Sequence, residues 1–261
     1  MESILDRLKN KVAIITGAAK GLGEANSRRF VSEGATVIMT DVDVENGKRV
    51  AAEIGDNAIF YKQDVRDEDG WIALVKRVMA DHGRLDILVN NAGVVEAGTI
   101  ETQSAEDYHF VMQVSADGTF FGCKHAIPAM KKTGGSIINM ASIASVQGAP
   151  NVIAYCAAKG AVESLSRGIA AHCANNKLKI RCNSIHPAAI LTPMVESMPE
   201  KIAKAKLDNN NPSMANAMKL GEPSDVANMV LFLASDESKH ISGTRMVIDN
   251  GLSTVTGHIG E

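Results

Sequence analysis

The chain has 261 residues, 45% hydrophobic and 22% charged, with a formal net charge of -3. That length suits one large α/β domain or two small ones, and the balance is that of an ordinary soluble globular protein. It gives no electrostatic reason to expect nucleic acid or an anionic membrane surface, and no apolar run is long enough to span a bilayer.

The opening MESILDRLKNK has no apolar core and no cleavage pattern, so a cytoplasmic location is expected. A first strand is predicted at 12–15. It runs into Thr16-Gly17-Ala18-Ala19-Lys20-Gly21-Leu22-Gly23 and a helix over 22–33. Glycines here let the backbone turn sharply and approach a pyrophosphate, whose charge is met by the helix N-terminus. A purely structural turn is the bland alternative. It is not a P-loop, because the Lys-Ser/Thr pair that such a loop needs is missing. The candidate cofactor residues of this turn are Gly17, Lys20, Gly21, Leu22 and Gly23.

A second strand at 36–39 leads to Asp41 and Val42. At that position a carboxylate accepts bonds from both hydroxyls of an adenosine ribose. It repels a 2′-phosphate by roughly 4 kcal/mol at 4 Å and an effective dielectric near 20. Even half of that favours NAD over NADP at least tenfold, by about 1.4 kcal/mol per decade. Lys20 pulls the other way, but it lies outside the strand end, and no base follows Asp41.

Further strands are predicted at 58–61, 87–89, 136–139, 180–185 and 244–248. Helical patterns lie at 71–81, 107–131, 153–175 and 224–235. Strands apolar on both faces that alternate with helices imply a doubly wound, Rossmann-type parallel sheet of about seven strands with helices on both faces. No linker or repeat divides it, so residues 1–261 read as one domain. Cys123, Cys156, Cys173 and Cys182 are scattered, which favours buried free thiols over disulfides or a metal site.

Tyr155 and Lys159 stand four apart within the helix at 153–175, so they share one face. An ammonium beside a phenol favours the phenolate and lowers its pKa from about 10. With the Ser142 hydroxyl to hold a substrate oxygen, this is equipment for moving a proton on or off an alcohol or carbonyl oxygen. The stretch 192–220 lacks a strand and carries Met194, Met198, Met214 and Met218, with a turn at Asn209-Asn210-Asn211-Pro212. An insertion there is placed to cover a site at the strand ends.

These motifs, in this order, resemble the short-chain dehydrogenase/reductase family over nearly the whole chain. They are Thr16-Gly17-x-x-x-Gly21-x-Gly23, Asp64-Val65, Asn90-Asn91-Ala92-Gly93, Ser142, Tyr155-x-x-x-Lys159 and His186-Pro187. The resemblance implies that Asp64 and Val65 flank the adenine, with Asp64 facing its amino group. Asn90 would brace the sheet, while Asn91, Ala92 and Gly93 pass close to the adenine ribose. Ser142 would hold the substrate oxygen, Tyr155 act as general acid/base, and Lys159 bind the nicotinamide ribose and lower the Tyr155 pKa. After Pro187, Ile190 and Thr192 would contact the carboxamide.

Two residues depart from the pattern. Ser115 stands where such families have an Asn that stabilises a helix kink and links the lysine to solvent. A serine can bond back to an i−4 carbonyl and bend a helix too, so the proton relay is expected to survive. Ala188 replaces a Gly, and its methyl is expected to narrow the nicotinamide pocket or shift the loop slightly.

The reading that follows is an NAD-dependent secondary alcohol dehydrogenase. The stretch 122–130 is similar to bacterial hydroxysteroid dehydrogenases. Ile143, Ala144, Val146, Val152, Ala188, Ala189, Met194 and Met198 are the expected pocket lining and favour a bulky alicyclic or steroid-like alcohol. A 3-oxoacyl-thioester reductase and an inactive cofactor-binding protein are the alternatives. The resemblance implies a homotetramer, or a homodimer, built through the helices at 107–131 and 153–175.

Overall fold

The computed structural model describes residues 6–207 and 220–254. Among them seven strands pair in parallel in the order β3-β2-β1-β4-β5-β6-β7. The strands are β1 (Val12–Thr16), β2 (Thr36–Asp41), β3 (Ala58–Lys62), β4 (Ile87–Asn90), β5 (Gly135–Met140), β6 (Ile180–Pro187) and β7 (Arg245–Ile248). Side chains alternate between faces along a strand, and the apolar residues of these strands divide accordingly. Ala13, Ile15, Val37, Met39 and Val89 pack with Phe30, Val50 and Val230 on one face. Val12, Ile14, Ile38, Leu88 and Ile137 pack with Trp71, Val75, Ala126 and Ile169 on the other. A sheet covered on both sides needs strands apolar in every position, and β1 and β4 are buried at every residue.

The covering helices are α1 (Gly21–Ser32), α2 (Val44–Ile54), α3 (Glu68–His82), α4 (Ala105–Met112), α5 (Gly118–Met130), α6 (Ile153–Asn175) and, after the short α7 (Pro193–Glu196) and α8 (Met198–Lys204), α9 (Pro223–Ala234). The α2 helix is not among those named from sequence. It starts at Asp43, whose carboxylate accepts from the Asn46 amide, and it buries only Gly47, Val50 and Ala51.

The helix expected over 107–131 is not α-helical throughout. Residues Gln113–Asp117 form a π-helical turn between α4 and α5, so the helix carries an extra residue at its centre. The insertion begins as α7 and α8, and the Ile190–Gly221 bridge closes its base. The Asn209–Pro212 turn, Met214 and Met218 lie outside the described residues.

Candidate active site

The chain leaves β1 and β4, which are neighbours, toward opposite sides of the sheet, and a crevice opens at their carboxyl ends. A cavity of about 420 Å³ lies there. Gly17, Lys20, Gly21, Leu22, Asp41, Val42, Asp64, Val65, Asn91, Ala92 and Gly93 line it from the first half of the chain. Ser142, Tyr155, Lys159, Pro187, Ala188, Ile190 and Thr192 line it from the second. Gly23 and Ser115 stand behind that lining. A Cβ on Gly23 would sit 2.1 Å from the Gly17 carbonyl oxygen, so this glycine serves the packing of the turn.

The glycine turn is tied to the loop after β4. Gly17 has φ +63°, and a Cβ there would come within 2.9 Å of the Ala92 Cα. The Asn91 side-chain amide donates to the carbonyls of Thr16 and Gly17 at 2.9 and 3.1 Å. In return the Thr16 hydroxyl accepts from the Asn91 and Ala92 amides, both at 3.0 Å. No side chain caps the start of α1. Uncapped amides at a helix N-terminus attract an anionic group, so this turn fits a dinucleotide's pyrophosphate.

Both Asp41 oxygens accept backbone amides, one from Ala19 at 3.0 Å and one from Asp43 at 2.9 Å. Val42 beside it is 59% exposed, an apolar surface at the cavity mouth. Asp64 lines the cavity as an ion pair. Its carboxylate accepts from the Arg66 guanidinium, with Nη2 to Oδ2 at 2.6 Å and Nε to Oδ1 at 3.0 Å. Arg66 lies two residues on along a loop, within reach of both oxygens, and it holds the Asp64 carboxyl below its usual range. The guanidinium also lies 5.6 Å from the Phe110 ring centroid. Arg66, Phe110 and Val114 all line the cavity and were not foreseen. The Val65 carbonyl accepts from the buried Trp71 indole at 3.0 Å, which fixes this loop.

Tyr155 and Lys159 lie one turn apart on α6, with Ser142 in the turn after β5. The Lys159 ammonium is 5.4 Å from the Tyr155 ring centroid and donates to the Met140 carbonyl at 2.7 Å. Lys159 is 3% exposed, and burial brings its pKa down to about 8. In the protein alone the Tyr155 pKa is shifted upward. Burial of the hydroxyl pushes it up to about 12, against a smaller lowering by the hydrogen bond with Ser142. Desolvation penalises the phenolate more than the neighbouring groups favour it.

The Ser115 expectation is corrected. Its hydroxyl is fully buried and has no hydrogen-bond partner among the described residues, so it does not bond back to an i−4 carbonyl. Thr119 does that instead, donating to the Ser115 carbonyl at 2.7 Å. The irregularity at this point in the helix is the π turn. A Cβ on Gly93 would lie 3.1 Å from Lys159 Nζ and 3.5 Å from Ser115 Oγ, so the two groups flank one glycine.

On the substrate side, Ala188 and Met194 line the cavity, joined by Val94, Pro193 and Val195. Ile143, Ala144, Val146, Val152, Ala189 and Met198 are not part of that lining, and Val146 is 41% exposed. Lys201 of α8 donates to Glu96 of the loop after β4 at 2.6 Å. Asn90 does brace the sheet. Its amide donates to the Asn139 side chain at 2.8 Å across the β4–β5 pair.

Sheet order, glycine turn and strand-end carboxylate define a doubly wound nucleotide-binding protein. A family model described as enoyl-(acyl carrier protein) reductase matches residues 17–253. The chain belongs to the short-chain dehydrogenase/reductase family, whose members use nicotinamide cofactors. It is 39% identical to a 3-beta-hydroxysteroid dehydrogenase of Comamonas testosteroni, over 95% of this chain and 97% of that one. It is 38% identical to an NADP-dependent (R)-specific alcohol dehydrogenase of Lentilactobacillus kefiri, over 94% and 98%. It is 35% identical to a trans-4-hydroxycyclohexanecarboxylate dehydrogenase of Sinomonas cyclohexanicum, over 96% of each. Among the described residues no helix is long and apolar enough to cross a membrane.

Proposed function

We propose that the protein is an NAD-dependent dehydrogenase that interconverts a secondary alcohol and its ketone. The observation that carries this is the meeting of Ser142, Tyr155 and Lys159 in the cavity that also holds the glycine turn and Asp41. The turn and the uncapped α1 would hold the pyrophosphate, Asp41 the adenosine ribose and Lys159 the nicotinamide ribose. When bound, an oxidised nicotinamide supplies the hydride-accepting carbon and a positive charge near the phenol. Ser142 holds the substrate oxygen, and Tyr155 takes its proton. Lowering a phenol pKa from about 12 toward neutrality requires roughly 7 kcal/mol of added preference for phenolate, at about 1.36 kcal/mol per unit. Lys159 and the cofactor's charge share that task.

Two observations support NAD over NADP. Asp41 stands at the strand end, and the Arg66 guanidinium is already paired with Asp64. An apolar lining of Val94, Met140, Ala188, Met194 and Val195 favours an alicyclic or steroid-like alcohol. We read 1–261 as one domain whose insertion at 192–220 covers the substrate, assembled as a homotetramer or homodimer.

A second reading, reduction of an acyl thioester, is favoured by the description of the matching family model. Against it stand Asp41 and the absence of a basic balance that would suit an acidic carrier protein. Turnover of cyclic secondary alcohols with NAD and with NADP, read from absorbance of the reduced cofactor, tests both. A strong NADP preference, or turnover confined to thioesters, overturns our reading. Tyr155→Phe is expected to reduce turnover at least about 100-fold while cofactor still binds. An undiminished rate excludes the mechanism.

A further inference from the structure

The carbonyl of Ser142 is held by buried groups that the chemistry above does not use. It accepts from the Ser145 amide at 3.0 Å, and it lies 2.8 Å from the Ser145 hydroxyl and 3.1 Å from His186 Nδ1. That same hydroxyl is 2.9 Å from Glu163 Oε2 and 2.9 Å from His186 Nδ1. On its other side His186 Nε2 lies 2.8 Å from the Ser184 hydroxyl. His186 is 0% exposed and Glu163 8%. The second Glu163 oxygen takes Arg167 at 2.7 Å and Arg245 at 3.5 Å.

Ser145 has one hydroxyl proton and three acceptors around it. A carboxylate is the strongest of them, so the proton goes to Glu163. His186 Nδ1 then carries a hydrogen, shared between the Ser142 carbonyl and the Ser145 oxygen, while Nε2 accepts from Ser184. This is a neutral imidazole with both nitrogens satisfied. Burial, the largest cause, lowers the His186 pKa, helped by Arg245 and Lys159 and opposed by Glu163 and the Ser142 carbonyl. The chain of bonds starts on α6, four residues beyond Lys159 and eight beyond Tyr155. It ends on the peptide of Ser142.

We propose that Glu163, Ser145 and His186 are positioning residues, which lock the turn carrying Ser142 to the helix carrying Tyr155 and Lys159. Their effect is to fix where a substrate oxygen is held relative to the phenol. The proposal rests on the roles given to Ser142 and Tyr155 above.

The test compares Ser145→Ala, His186→Leu, His186→Asn and Ser142→Ala in steady-state oxidation of a cyclic secondary alcohol across pH. Cofactor affinity is read from the fluorescence of bound NADH. Ser145→Ala and His186→Leu are expected to lower kcat roughly tenfold or more by misplacing Ser142, with the NADH Kd unchanged. The acid limb of their kcat/KM profiles is expected to move to higher pH, because a looser Ser142 favours the Tyr155 phenolate less. His186→Asn offers an amide near the Nδ1 position and is expected to recover most of the rate. A merely structural role would lower Tm and leave the pH limb in place, and that result overturns the proposal. Should His186→Leu not fold, Ser145→Ala decides alone. Wild-type kinetics in Ser142→Ala overturn the underlying roles as well. A slow Ser142→Ala beside unaffected Ser145→Ala and His186→Leu overturns this proposal only.

Discussion

Ser115 carries a buried hydroxyl with no hydrogen-bond partner among the described residues, beside the glycine that also adjoins Lys159. Removing an unsatisfied buried polar group costs little and can stabilise, so Ser115→Ala is expected to keep or raise Tm. If Ser115 serves a proton relay from Lys159, the same variant slows turnover several-fold, while Ser115→Asn equals or exceeds the wild type. Thermal melts and rates across pH check the pair, and wild-type kinetics in Ser115→Ala refute the relay. Lys159 gives a second prediction. Its folded pKa of about 8 lies below the 10.5 of a free lysine side chain, so between those values the unfolded chain binds more protons. The cost of burying the ammonium is fully present below pH 8 and is relieved as pH rises toward 10.5. Over that window the wild type is expected to gain up to about 3 kcal/mol relative to Lys159→Met, seen as a change in their Tm difference. The residue spacing of Tyr155 and Lys159 was legible because helix geometry alone sets it. The direction of the Tyr155 shift was not, because burial is a property of the folded cavity. Arg66 and Phe110 escaped for the same reason: no periodicity links a loop arginine to a ring 44 positions later.

At the scale of elements, strands were legible wherever β-branched runs lie between turn residues, as in Val12–Thr16 and Gly135–Met140. The π turn was not. Its sequence, Gln-Val-Ser-Ala-Asp, is compatible with α-helix, and only the bonding register distinguishes the two. Ranges 192–220 read as a covering insertion, and α8 is tied down by Lys201 to Glu96. Both partners are about 30% exposed, so the pair contributes about 1 kcal/mol or less. Lys201→Ala is expected to raise KM for a bulky alcohol by roughly two- to fivefold, with kcat little changed. The charge-swapped pair Glu96→Lys with Lys201→Glu is expected to restore it. Equal KM values in all three proteins would show that the insertion is held by other contacts.

At the scale of the whole molecule, the helices on which assembly is expected carry exposed Tyr108 and Phe120, at 37% and 47%. Phe120→Glu is expected to give a smaller particle in sedimentation or light scattering, with the melt of the subunit itself nearly unchanged. An unaltered particle mass would move the interface elsewhere. The strand order has one more effect, on synthesis. The first three strands extend the sheet from β1 in one direction, and every later strand is added on the opposite side. Each strand from β5 onward therefore leaves the ribosome to find its pairing edge already laid down. A nascent chain halted just past Asn90 would carry the glycine turn and Asp41 but show β4 as a bare margin. Those four residues, all buried in the finished protein, are the stretch that a chaperone would need to shield until β5 emerges.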